Sequence, residues 1–195
     1  MSGDPADNGQ IPAHAVPPAR SLPGTGVQHR HVLVVLVLNK PGVLNRVSSL
    51  MRARNFNIES LAVSHTAREG VSRMTLVING DDVLVEQAAK QLYRLIDVLK
   101  VQDVTNDPTV DHELAFIKVR ATDRNRAEVV SIAEMHRGRV VDLAADSLIV
   151  EAVGTEAEID ALVALLRAFG VKELVRTGTV VMARGSGSIE EALKR

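Results

Sequence analysis

Six histidines are the first candidates for metal or acid–base chemistry: His14, His29, His31, His65, His112 and His136. None forms an i, i+4 pair or a zinc-type spacing. His136 shares a helix face with Ile132 and reads as partly buried packing, whereas His65 stands at a strand end in solvent. Serines and aspartates are plentiful, yet none lies in a nucleophile elbow such as G-x-S-x-G. The adjacent carboxylates Asp81 and Asp82 stand at a helix start, where capping accounts for them. With no cysteine in 195 residues, thiolate catalysis, disulfides and Cys-ligated zinc are excluded. No acid, base and nucleophile converge, so the chain is expected to hold no catalytic residues, no metal site and no cofactor of its own.

Ligand binding is a different matter, and one turn collects the features it needs. Asn39-Lys40-Pro41-Gly42 breaks an apolar run and precedes a helical pattern. Pro41 fixes φ for a turn or first helical position, and Gly42 accepts any backbone angle. The turn aims a helix N-terminus, with its unpaired N–H groups, beyond the end of a strand, where a carboxylate or phosphate can sit. An amino acid adds an ammonium group and a side chain. N–H groups around Gly42, Val43 and Leu44 suit the carboxylate, and Gly42 permits close approach. Carboxamide oxygens of Asn39 or Asn57 suit the ammonium, and Val43, Leu44 and Ile58 offer an apolar wall. A plain strand-to-helix turn, with Asn57 as a helix-exit residue, would read the same way on these grounds alone.

The elements that position this turn follow from periodicity. Val32 to Leu38 is an unbroken apolar, mostly β-branched run, the pattern of a strand buried on both faces. In this strand Val32, Val34, Leu36 and Leu38 are expected to pack one way, while Leu33, Val35 and Val37 face out and need a cover, so a charge at Val35 should loosen a dimer or unfold the module. From Val43 a helix carries Val43, Leu44, Val47, Leu50 and Met51 on one face. Ile58 to Val63 is extended again. Ser72 to Ile78 alternates, with Met74, Leu76 and Ile78 together. Asn79 to Asp82 is a turn with an N-cap, Val85, Ala88, Leu92 and Leu95 form an amphipathic helix, and Leu99 to Val104 is a last strand. The order is β-α-β-β-α-β, a ferredoxin-like sandwich.

The second half repeats it. Leu114 to Val119 is a strand, and the helix after Asp123 buries Val129, Ile132 and Ala133, with Gly138 at C′. Arg139 to Leu143 and Ser147 to Val153 are the middle strands. Thr155 and Glu158 form a capping box opening a helix with Ile159, Leu162, Val163, Leu166 and Phe169 inward. Val171 to Arg176 closes the module, and Thr179 to Ala183 adds an edge. The fold class is therefore α+β, with two βαββαβ sandwiches in tandem. The expected divisions are a disordered tail at 1–30, holding five of the seven prolines, a first module at 31–105, a linker at 106–111, a second module at 112–184 and a loosely held tail at 185–195.

Composition narrows the partners. A formal net charge of −1 gives no long-range pull toward nucleic acid or an anionic membrane. The same architecture binds RNA through strand aromatics, but the middle strands SRMTLVI and SLIVEAV carry none. Arg46, Arg52, Arg54, Arg68 and Arg73 make the first module locally basic, a solvated helix face or a surface for a protein partner. No signal-peptide core or membrane-length apolar run is present, so a soluble, cytoplasmic protein is expected.

The run NKPGVLNRVSSLMRARNFNIESLAVSHT, followed by SRMTLVI and KQLYRLIDVLKV, resembles the small, regulatory subunit of acetolactate synthase (acetohydroxyacid synthase). The N-K-P-G-V-L turn by itself is similar to many ACT domains, the amino-acid-sensing modules. FNIESLAV, SRMT and KQL-x-x-L-x-DV at these distances narrow the likeness. ELAFIKV, RGRVVDL, SLIVEAVG and RTGTVVMARG extend it more loosely over the second half, so that it spans about residues 31 to 185. The resemblance implies an N-terminal ACT domain, a C-terminal ACT-like domain, and a chain that is no enzyme on its own. Its partner would be a large catalytic subunit holding thiamine diphosphate, magnesium and FAD, which condenses two pyruvates, or pyruvate with 2-oxobutyrate, toward the branched-chain amino acids. It implies that the small subunit raises that activity and confers feedback inhibition, usually by valine, bound between two ACT domains of a homodimer. The effector residues it implies are Asn39, Gly42, Val43, Leu44, Asn57 and Ile58. The alternative is a free-standing ACT-type sensor acting on another enzyme or regulator.

Overall fold

Apolar runs and turn residues give the chain its elements in the order the periodicity sets. The computed structural model describes residues 29–54 and 56–194. The first module comprises β1 (His29–Leu38), α1 (Val43–Ala53), β2 (Ile58–His65), β3 (Val71–Gly80), α2 (Asp82–Leu92) and β4 (Val98–Asp103). The second comprises β5 (Thr109–Arg120), α3 (Arg126–Met135), β6 (Arg139–Leu143), β7 (Ser147–Gly154), α4 (Glu156–Leu166) and β8 (Val171–Arg176), followed by β9 (Val180–Ala183). All strand pairings are antiparallel, in the orders β2-β3-β1-β4 and β6-β7-β5-β8. These are the two tandem ferredoxin-like sandwiches, each with its helices on one face. No helix among the described residues is long and apolar enough to cross a membrane.

The division into segments differs from the sequence reading in three places. β5 begins at Thr109, inside the span read as linker, because Thr109 to His112 pair with β9. That pairing brings the chain end back over the first module. The segment read as a loose tail is held there: Ile189 packs against Val32, Val34, Val77, Val104 and Val181, and Arg68 Nη1 donates to the Leu193 carbonyl at 3.3 Å. The reading of residues 1–30 as a tail lies outside the described residues except for His29 and Arg30, which already belong to β1.

Burial also reverses the faces assigned to β1. Leu33, Val35 and Val37 point at the helices and join Val43, Val47, Met51, Met74, Leu76, Ile78, Val85, Ala88 and Leu92 in the first core. Val32 and Val34 lie on the opposite face, under Val181 and Ile189. The period of two predicts the alternation but cannot say which face meets the helices when both are apolar. In the second module Ala115, Ile117, Val119, Val129, Ala133, Leu148, Val150, Ile159, Leu162 and Leu166 form the equivalent core.

The C-terminus of α3 departs from the reading by one residue. Arg137, not Gly138, takes the left-handed C′ position, with φ 58°. The Gly138 N–H closes the helix on the Ala133 carbonyl at 2.8 Å. Glycine is needed at 138 for space, since a Cβ there would meet Val150 Cγ1 at 3.0 Å and two carbonyl oxygens at 3.2 Å.

Candidate functional site

β1 ends where the Leu38 N–H meets the Asp97 carbonyl and the Asn39 N–H meets the Gly70 carbonyl, both at 2.8 Å. The chain then turns through Lys40 and Pro41 to Gly42, which caps α1 at φ 84°, ψ −6°. That left-handed conformation suits glycine and strains other residues. No side chain caps α1, and its first turn holds no acidic residue. The Val43 N–H reaches the Lys40 carbonyl only at 3.4 Å. The N–H groups of Gly42, Leu44 and Asn45 have no hydrogen-bond partner among the described residues, so the positive end of the α1 dipole opens on solvent.

A charge contact that the sequence reading did not find braces this turn. Arg46 Nη2 lies 2.5 Å from Oδ2 of the buried Asp97, outside hydrogen-bond angles but within ion-pair reach. Arg46 also stands over the turn: its Nη1 is 3.8 Å from where a Gly42 Cβ would be. The partners are about 50 positions apart, and only the pairing of β4 with β1 brings them together. The site thus has helix N–H groups and a guanidinium on one side, a set suited to a carboxylate.

The other expected contacts divide by location. The Asn39 side chain is exposed at the turn, as is Leu44, which leaves the apolar helix face that the sequence assigned it. Val43 is buried in the core, so only its backbone is presented. Asn57 is exposed and Ile58 half-buried at the start of β2. Ile58 is level with Ile78, which is level with His31, whereas Leu38 is level with Val71. Asn57 and Ile58 therefore sit at the opposite end of the sheet from Asn39 and Gly42, about 20 Å away along the strands. Within one chain the structure brings Asn39, Gly42, Val43 and Leu44 together and leaves Asn57 and Ile58 apart.

Two further features lie outside this cluster. A cleft of about 390 Å³ opens between the modules, lined by Glu59, Ser60, Glu113, Glu156, Arg176 and Thr179. Most of its charges are already matched: Arg176 pairs with the buried Glu113 and, at 2.6 Å, with Asp160, and Arg30 reaches Glu156 at 3.1 Å. Hydrogen bonding to Glu113 raises the Arg176 pKa further, against the desolvation of burial. Gly178 (φ 77°) lets the chain approach β2 closely at the edge of this cleft, since a Cβ there would stand 2.5 Å from Ser60 Oγ. At the far end of β1 the fold gathers His29, His31 and Asp82, although the histidine spacing gave no metal signal. A strand places i and i+2 on one face, and Asp82 arrives from a separate element, so no short sequence pattern marks the trio.

The chain is similar to known proteins over both modules. Residues 33–100 match a family described as the AHAS small subunit-like ACT domain, and residues 112–185 match one described as the small subunit of acetolactate synthase. The acetolactate synthase small subunit of Aquifex aeolicus is 46% identical over 167 residues, covering 85% of this chain and 87% of the relative. That of Bacillus subtilis is 45% identical over 158 residues, covering 80% and 92%. A crystal structure of the acetolactate synthase small subunit from Thermotoga maritima superposes with a TM-score of 0.76 at 36% identity, covering 82% of this chain and 99% of that one.

Proposed function

This chain belongs to the family of acetolactate synthase small subunits, and from that premise we propose that it regulates a separate catalytic large subunit, raising its activity and making it sensitive to valine. The observation that carries the ligand reading is the α1 N-terminus: a left-handed Gly42 followed by N–H groups with no partner among the described residues, beside Arg46. A carboxylate placed there would accept charge-assisted hydrogen bonds from groups the fold otherwise leaves to water. The ammonium and isopropyl groups would be met by Asn57 and Ile58 of a second copy, a reading supported by the distance of about 20 Å between these residues and Gly42 within one chain. Under this reading thiamine diphosphate, magnesium and FAD are held by the large subunit, and the condensation of two pyruvates to 2-acetolactate with loss of carbon dioxide occurs there.

The deciding experiment is co-purification with the large subunit, followed by an acetolactate assay with and without valine. The pure small subunit is expected to make no acetolactate, the complex to outpace the large subunit alone, and valine to inhibit only the complex. Failure to capture the large subunit, with valine still binding the isolated chain, would favour a free-standing sensor.

A further inference from the structure

His29 and His31 stand two residues apart at the start of β1, on one face of the strand, with ring centroids 4.2 Å apart. Asp82, the first residue of α2, reaches both: its Oδ1 is 3.0 Å from His29 Nε2 and 3.7 Å from His31 Nε2. One ligand atom from each of the three lies within 4.8 Å of the others. The His31 side chain is only 2% exposed, and its Nε2 is a buried nitrogen without a hydrogen-bond partner among the described residues. We propose that His29, His31 and Asp82 form a binding site for a divalent transition-metal ion of the zinc class.

An ordinary ion pair between His29 and Asp82 does not account for the cluster. It would use the Asp82 oxygen and leave the buried His31 Nε2 facing it at 3.7 Å, too far for a hydrogen bond. Two protonated rings at this separation would also repel. Two neutral imidazoles and a carboxylate converging on one point are the donor set of zinc, cobalt or nickel, and the wrong one for magnesium or calcium, which take oxygens. Three protein ligands leave a position for water. The outer contacts fit as well. His31 Nδ1 lies 3.4 Å from Thr105 Oγ1 and 3.9 Å from Asp103 Oδ2, the kind of partners that orient a metal-bound imidazole. Exposed Asp82 and His29 provide the entry path. Thr105 Oγ1 also accepts the Val32 N–H at 3.0 Å, where the chain leaves β4 for the second module. The ion would therefore brace the start of β1, the start of α2 and the junction between modules.

The test uses tag-free, chelator-stripped full chain at neutral pH, titrated with Co²⁺ by visible absorption and with Zn²⁺ by calorimetry. One equivalent per chain is expected to bind, and metal at a hundredfold excess over Kd should raise Tm by about 5–10 °C. His29→Ala and Asp82→Asn, at exposed positions, should keep the far-UV spectrum of the parent while losing tenfold or more in affinity, together with the Tm shift. His65→Ala and His112→Ala should bind as the parent does, and Mg²⁺ should produce no shift. Cobalt binding that survives both His29→Ala and Asp82→Asn, or a parent Kd no tighter than millimolar, would overturn the proposal.

Discussion

Gly42 shows how one residue can join backbone strain to ligand chemistry. Its φ of 84° makes any substitution cost about 1–2 kcal/mol in the turn. Gly42→Ala isolates that cost, because its methyl would have only Arg46 Nη1 nearby, at 3.8 Å. Gly42→Asp adds a carboxylate where the ligand's own carboxylate is proposed to sit. Like charges there cost on the order of several kcal/mol, so valine affinity should fall about a hundredfold or more by calorimetry, and by much less in Gly42→Ala. Arg46 would partly offset the charge, but it is engaged with Asp97. Valine binding by Gly42→Asp at parental affinity would remove the turn from the site. Val35 makes the contrasting case. It is fully buried on the helix side of β1, so Val35→Asp places an unpaired charge in the core, and the variant is expected to be unfolded by circular dichroism whatever the state of association. The turn chemistry at Gly42 was legible from Pro41, Gly42 and the change of period. The Arg46–Asp97 contact was not, since a pairing across β1 and β4 leaves no local trace.

At the level of elements, local signals were most faithful where a cap and a period agree. α4 is the clearest case: Thr155 Oγ1 accepts the Glu158 N–H at 3.4 Å, and Glu158 Oε2 accepts the Thr155 N–H at 2.8 Å. The Thr155 backbone and hydroxyl donors hold the Glu158 carboxyl below its ordinary pKa of 4.5. A depressed carboxylate stabilises the fold above its unfolded-state pKa, and that contribution is lost as pH falls through the folded value. Thermal melts of the parent and Glu158→Gln should therefore differ at neutral pH, with the parent higher, and converge as pH drops below about 4. A gap that stays constant down to pH 3 would assign the cap no charge. Fidelity was lower where both faces of an element are apolar or where partners are remote. β1 carried the strand signal in full, yet its faces were exchanged, because alternation has no sign without knowing where the helices lie. β5 was read too short because its first residues, Thr109 to His112, are polar-leaning and owe their strand to β9.

At the scale of the whole molecule, one face of the first module is covered by this chain, and the proposed ligand site calls for a second cover. One face of its sheet is closed by the returning chain. Ile189 and Val181 lie over Val32, Val34 and Val77, and Arg73 Nη2 donates to the Val181 carbonyl at 2.5 Å. Burial lowers the Arg73 pKa, with Glu190 opposing the change. Removing residues 185–195 should uncover this apolar face and lower Tm by several degrees, since half-buried Ile189 contributes about half of the roughly 1.5–3 kcal/mol of full burial and also shields Val32, Val34 and Val77. An unchanged melt would mean the segment contributes nothing. The second cover is the one the proposed site would require. β2 is one of the two edge strands of the sheet, and it runs from Ile58, level with His31, to His65, level with Ser72 and hence Val37. An exposed edge strand can pair with its own copy across a two-fold axis, antiparallel, so that the Ile58 end of one β2 meets the His65 end of the other. The turn at Gly42 lies at the His65 end. Such a two-fold would carry Gly42 of one copy to the end that holds Asn57 and Ile58 of its partner, uniting the halves that stand about 20 Å apart within a chain. Each dimer would have two such sites, each built from both copies, and valine would tighten the association it bridges. Mixed dimers test this directly. Gly42→Asp alone and Asn57→Lys alone should each lose valine binding, the second by setting a cation beside the ligand ammonium. Co-expressed, they form heterodimers in which one site pairs the two substitutions and the other pairs intact Gly42 with intact Asn57. Isolated heterodimers should recover one valine per dimer at parental affinity. No recovery, from a heterodimer shown by light scattering to be intact, would place both halves of the site in one chain and sink the two-copy arrangement.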